Sequence, residues 1–253
     1  MIALRSKPFL STAFVGAIVL TLAACDNAEE AAAGPIERSE AVAEVDPPAG
    51  TQWSDQVQMT ERGGYLVGNP DAPIKLVEYG SLTCPACAAF SAQAKEPLMQ
   101  DYVNSGRVSF ELRSLLLGGP LDLALTRLIE CGQPQAIHPL SHQVWSNLDT
   151  IFDRVQAAGP QLEAAMSLPE DQRFPAFAQA AGLYDFFAAR GLSEEQARQC
   201  LADTQRLEQL AEYSQSYSDD DVQGTPTFFL NGNKVDGNQW PAVEAALQRA
   251  GAR

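Results

Sequence analysis

Histidine is almost missing from this 253-residue chain, which holds only His138 and His142. Their i, i+4 spacing would put both imidazoles on one helical face, but no Asp or Glu lies between or immediately beside them, so a metal site is disfavoured. Cys84 and Cys87 form the only C-x-x-C, while Cys131 and Cys200 stand alone, so zinc lacks a second pair of ligands. Ala88 follows Cys87 where covalent haem attachment requires histidine. No metal and no other cofactor is therefore expected. Basic residues are also scarce, 17 against 32 acidic, for a formal charge of −15. That balance disfavours nucleic acid and direct binding to an anionic lipid surface. Long apolar runs are confined to Phe9–Ala24, too short for a comfortable membrane span.

What the chain does have is Cys84-Pro85-Ala86-Cys87, placed between the apolar run Ile74–Tyr79 and the helix-prone stretch Ala88–Ala94. Two thiols three residues apart on the first turn of a helix can close a small disulfide ring. The helix amides and dipole lower the pKa of the first of them, which makes Cys84 the nucleophile. Pro85 suits the first helical position because it has no N–H to leave unpaired there.

The address is written at the N-terminus. Arg5 and Lys7 precede the apolar run, and Leu22-Ala23-Ala24-Cys25 closes it. Residues 1–24 thus read as an export signal. Small residues immediately before a cysteine resemble the lipobox of bacterial lipoproteins, which implies lipidation of Cys25; an ordinary cleaved signal is the alternative. Asp26 resembles the signal that retains some lipoproteins in the inner membrane, with the outer membrane as the other destination. An exported chain is oxidising territory, and setting Cys25 aside leaves four cysteines, an even number. Four thiols allow three pairings. The close spacing of Cys84 and Cys87 leaves Cys131–Cys200 as the natural second bond, against two buried free thiols.

Residues 25–59, rich in Ala, Glu, Pro and Gly, read as a flexible tether. Tyr65–Gly68 is a strand candidate, the turn cluster Asn69–Pro73 leads into a central strand at Ile74–Tyr79, and Pro97 should kink the helix after the cysteines. Arg107–Arg113 alternates as a further strand, completing a right-handed β-α-β unit with parallel strands. From 119 to 216 only helices are expected: one on the face Leu121, Leu125, Leu128 and Ile129, a second from His138 to Val155, a third from Phe174 to Arg190. The fourth starts at the capping box Ser193–Gln196 and runs through Cys200 and Leu207 towards Tyr213. Strands return at Thr227–Leu230, an Asn231-Gly232 hairpin follows, and Trp240–Arg249 closes the chain as a helix. The expected division is a domain of residues 60–118 and 217–253 carrying a helical insertion at 119–216.

Glu78–Cys87 together with Gly224-Thr225-Pro226-Thr227-Phe228-Phe229 resembles the thioredoxin superfamily, and the helical insertion narrows the resemblance to its DsbA-like exported thiol–disulfide oxidoreductases. The fold implied is α/β, thioredoxin-like, with an inserted helical subdomain. The resemblance also implies a cis Thr225-Pro226 bond facing the two sulfurs, with the Thr225 backbone free to bind an extended substrate peptide. Glu78 aligns with the acid this family buries beneath the cysteines, where it would exchange a proton with Cys87. One departure stands out: Ala86 occupies the place where the best-known member carries a stabilising histidine, which implies a weaker oxidant. The activity implied is a periplasmic, membrane-tethered, monomeric dithiol oxidase. It would act on cysteine-containing exported proteins and be recycled by a membrane redox partner. A reductase or isomerase, and a non-catalytic binding lipoprotein, are the alternatives.

Overall fold

The computed structural model describes residues 38–253. The expected leader, Cys25 and the first part of the expected tether lie outside the described residues. A six-stranded sheet runs in the order β1-β2-β4-β3-β5-β6, comprising Val57–Met59 (β1), Tyr65–Gly68 (β2), Ile74–Gly80 (β3), Val108–Ser114 (β4), Thr227–Leu230 (β5) and Asn233–Lys234 (β6). β3 pairs parallel with β4, Ile74 opposite Val108 through Gly80 opposite Ser114, and antiparallel with β5. The helix between β3 and β4 is α1, Pro85–Pro97, and this β-α-β unit is the frame on which the cysteines sit. Pro97 does end the regular helix: Leu98–Val103 continues as a π-helical turn, which keeps Leu98, Tyr102 and Val103 buried after the proline has removed an N–H.

Between β4 and β5 the chain is helical: α2 Pro120–Ile129, α3 Ile137–Trp145, α4 Leu148–Ala157, α5 Gly159–Met166, α6 Glu170–Ala180, α7 Leu183–Ala188, α8 Glu194–Ala202 and α9 Thr204–Ser216. Several expected long helices are therefore broken. Gly182, at φ +65°, ends α6 and starts α7. The Asp203 carboxylate accepts the Arg206 amide at 3.1 Å, so it caps a new helix where a continuous one was expected from Ser193. The Ser193–Gln196 capping box itself is present. At the far end Asn231 and Gly232, at φ +49° and +80°, make the two-residue hairpin turn, and α10 is Trp240–Arg249.

The tether reading needs correcting over its described part. Ser39 donates to the Arg249 carbonyl at 2.8 Å, Val42 to Gly251 at 2.9 Å and Val45 to Ser105 at 2.9 Å. The Trp53 ring is buried, and its Nε1 donates to the Val45 carbonyl at 2.7 Å. β1 then adds an edge strand to β2. Composition pointed to a polar linker, but one tryptophan and a few backbone bonds suffice to seat the segment against the domain.

Cys131, just past α2, is disulfide-bonded to Cys200 on α8 with a Cα–Cα distance of 6.0 Å and a separation of 69 residues. Closing a loop of that length restricts the unfolded chain by about 4 kcal/mol. Cys131→Ser is therefore expected to lower the thermal midpoint clearly under oxidising conditions and to leave turnover at the other cysteine pair within about twofold. Unchanged melting would remove the bond from the stability account.

Candidate active site

β3 delivers the chain to Ser81-Leu82-Thr83, and Cys84 is the N-cap of α1, with extended backbone at φ −91° and ψ 117°. Pro85 fills the first helical position. The Cys87 amide donates to the Cys84 Sγ at 3.4 Å. Both cysteines are free thiols, Cys84 half-buried and Cys87 fully buried. Their electrostatics diverge sharply. Cys84 is lowered to about 5, foremost by the hydrogen bond from the Cys87 thiol, with the Cys87 and Ala86 amides adding to it against the cost of burial. Burial pushes the Cys87 thiol far up, and the neighbouring Cys84 and the Glu78 charge push the same way.

Thr225 lies across from the pair. The Thr225-Pro226 bond is cis, and the Thr225 carbonyl is 3.3 Å from the Cys84 Sγ. Lysine and tyrosine bonds brace the preceding segment: Lys234 Nζ donates to the Asp221 carbonyl at 2.7 Å, and the Tyr79 hydroxyl donates to Asp220 at 2.7 Å. An extended peptide laid beside Thr225 would thus pass over the accessible sulfur.

Glu78 lies beneath, 1 % exposed, with Oε1 unpaired. Period-2 alternation from Ile74 and Leu76 sends it to the covered face of the sheet, as expected. Burial, and then the Cys84 charge, raise it to about 8. A carboxyl group held near neutrality next to a buried thiol is poised to give or take a proton.

One residue of the site is not legible in the sequence. Asp122, fully buried in the first turn of α2, accepts from the Ser81 hydroxyl at 2.6 Å, the Leu82 amide at 3.0 Å, the Thr83 hydroxyl at 3.1 Å and the Gly118 amide at 3.1 Å. Trp145 of α3 donates to the Ser81 carbonyl at 2.9 Å. Together they clamp the three residues that lead into Cys84. Gly118 is required here, since a Cβ would run into the Thr83 hydroxyl. The two histidines go their own ways: His138 Nε2 donates to the Tyr65 carbonyl at 3.0 Å, whereas His142 Nδ1 pairs with Ser91 at 2.9 Å. Among the described residues no cluster of three or more His, Cys, Asp or Glu is placed to hold a metal.

A nucleophilic N-cap cysteine, its buried partner and a facing cis proline on a β-α-β frame agree with the comparisons. Residues 60–249 match the sequence profile of the family described as Thioredoxin. The chain belongs to the thioredoxin family. Within it, a Rickettsia bellii protein with a provisional description as a protein-disulfide oxidoreductase is 24% identical over 191 residues, 75% of this chain and 65% of that protein. The disulfide bond formation protein D of Bacillus subtilis is 30% identical over 70 residues, 27% of this chain and 32% of that one. The chain thus spans less than two thirds of the length of these curated relatives. Among solved structures, the Novosphingobium aromaticivorans protein-disulfide isomerase is 25% identical with a TM-score of 0.66, covering 72% of this chain and 94% of that one. Wolbachia pipientis alpha-DsbA1, at 19% identity, shares the fold with a TM-score of 0.58 over 76% of this chain and 94% of its own. The thioredoxin-like fold with a helical insertion is thus the architecture of this family member.

Proposed function

We propose that this protein is an exported thiol–disulfide oxidoreductase that introduces disulfides into cysteine-containing exported proteins. The observation that carries this reading is the asymmetry of the pair, an accessible Cys84 held near 5 above a buried Cys87 held far higher. In the oxidised enzyme a substrate thiolate attacks the Cys84 sulfur. The Cys84–Cys87 bond breaks, and the electron pair leaves with Cys87, which takes a proton from Glu78. The Thr225 backbone holds the substrate strand meanwhile. The substrate's second thiolate then attacks its own mixed-disulfide sulfur, releasing the oxidised substrate and a Cys84 thiolate. A thiolate that stable is a good leaving group, which favours release in this direction. Reoxidation by a membrane redox partner returns Cys87 to the disulfide, its proton passing back to Glu78.

The Leu22–Cys25 sequence supports a lipid anchor at Cys25, on the periplasmic face of the inner membrane. Among the described residues no helix is long and apolar enough to cross a membrane. In this proposal residues 119–216 are a helical insertion, and the Cys131–Cys200 bond is structural.

The deciding measurement is the reduction potential of the Cys84–Cys87 couple, equilibrated against glutathione. A Cys84 pKa of about 5 falls between thioredoxin at about 7 and DsbA at about 3.5. The couple is therefore expected between about −270 and −120 mV. A potential at or below about −270 mV would make the protein a reductant and overturn the oxidase reading.

A further inference from the structure

A cavity of about 310 Å³ separates the sheet from the helices that cover its active-site face. Its floor is one continuous side of four strands. Val57 on β1 faces Val67 on β2, which faces Phe110 on β4, and Leu112 on β4 lies beside Glu78 on β3. The roof is formed by Phe90 and Ala94 of α1 and Trp145 of α3. Glu78, on the strand of these four that lies farthest from β1, closes the inner end, and its Oε1 has no partner. The rim is exposed and includes Asp55, Lys95 and Glu96.

The charges are unbalanced. Lys95 is the only lining residue with a permanent positive charge, and it pairs with Glu96 at 3.5 Å on the exposed rim. Asp55 is left over there. The two imidazoles of the lining, His138 and His142, do not supply the missing cation, because burial lowers both, His138 to about 4. The cavity thus has apolar walls, an acidic rim and one buried carboxyl group without a donor. Pockets of this kind, mostly apolar with a few placed polar groups, are what small ligands use.

We propose that this cavity is a binding site for a small arylalkyl ammonium cation, its ring packed between Phe90 and Phe110 and its ammonium group donating to Glu78. Only the functional consequence rests on the oxidoreductase reading: a cation on Glu78 would hold the carboxylate ionised and remove the proton donor for Cys87. Binding itself requires nothing of the redox chemistry.

The experiment is calorimetric titration of the disulfide-closed protein at pH 9, where Glu78 is ionised, with 2-phenylethylammonium, and with 2-phenylethanol and 3-phenylpropionate as neutral and anionic matches. The cation is expected to bind at least about tenfold more tightly than the alcohol, the acid more weakly still, since about 1.4 kcal/mol of charge-assisted hydrogen bonding suffices for tenfold. Glu78→Gln should bring the cation down to the level of the alcohol. Val57→Phe, a change at the half-buried outer end of the floor, should weaken cation and alcohol together by filling the space. Equal affinity of the wild type for cation and alcohol, an unchanged cation affinity in Glu78→Gln, or binding indifferent to Val57→Phe would each overturn the site, as would no heat at millimolar ligand. If the cation binds with the expected dependence while insulin-reduction turnover stays unchanged, the site stands and the role of Glu78 as proton donor fails instead.

Discussion

Cys87→Ala is expected to accumulate covalent adducts with exported cysteine-containing proteins, and Cys84→Ala to form none. Cys84 is the only one of the two sulfurs within a substrate's reach, because Cys87 is fully buried behind it. In Cys87→Ala the nucleophile survives, but the enzyme's own resolving thiol is gone, so a mixed disulfide can be released only by a second thiol of the substrate, and adducts with substrates that lack a free one persist. The same change removes the hydrogen bond that does most to hold Cys84 near 5, so its alkylation midpoint should move upward with iodoacetamide as the probe. Insulin-reduction turnover should fall by about three orders of magnitude or more in either variant, since one cysteine cannot cycle through a disulfide. Adducts are read on non-reducing gels of a periplasmic extract. Equal capture by both variants, or capture by neither, would favour the non-catalytic binding lipoprotein.

Much of this site could be read in advance because its signals are local. C-x-x-C after an apolar strand, proline at a helix start, a serine–glutamine capping box and Asn-Gly between apolar runs each act over three or four residues, and each is where the sequence put it. Glu78 was legible one step further out, through the alternation of a strand. Asp122 was not. An aspartate in the first turn of a helix already has an ordinary explanation in the helix dipole, and nothing in the sequence shows that four donors from two loops will converge on it. The broken helices failed for a related reason. Asp203 sits inside a run with sustained helical periodicity, and only the bond it makes to Arg206 turns it into a cap. The docking of the segment before β1 is hidden from composition, which reports the average character of a stretch, whereas Trp53 and a few backbone bonds anchor it.

Replacing Glu78 by glutamine is expected to stabilise the protein at alkaline pH and to do nothing at pH 4. In the folded chain Glu78 titrates at about 8 instead of 4.5, chiefly because burial disfavours its charge. Below 4.5 the folded and unfolded chains both carry the proton, so the group is neutral in the comparison. As pH rises from 4.5 to 8 the unfolded chain releases the proton while the folded one keeps it, and stability falls with each step. Above 8 the folded state holds a buried carboxylate with an unpaired oxygen, and the loss is complete, at most about 5 kcal/mol at roughly 1.4 kcal/mol per pH unit. The measurement belongs on the disulfide-closed protein, where Cys84 does not titrate. There the thiolate contribution to the Glu78 shift disappears and burial, its leading cause, remains. Glu78→Gln should flatten the fall and raise the thermal midpoint by roughly 10 °C at pH 9. The same substitution should slow the step in which Cys87 gains or loses its proton. Parallel pH profiles for wild type and variant would mean that Glu78 is solvated and ionised in the folded protein, and would remove it from the proton path.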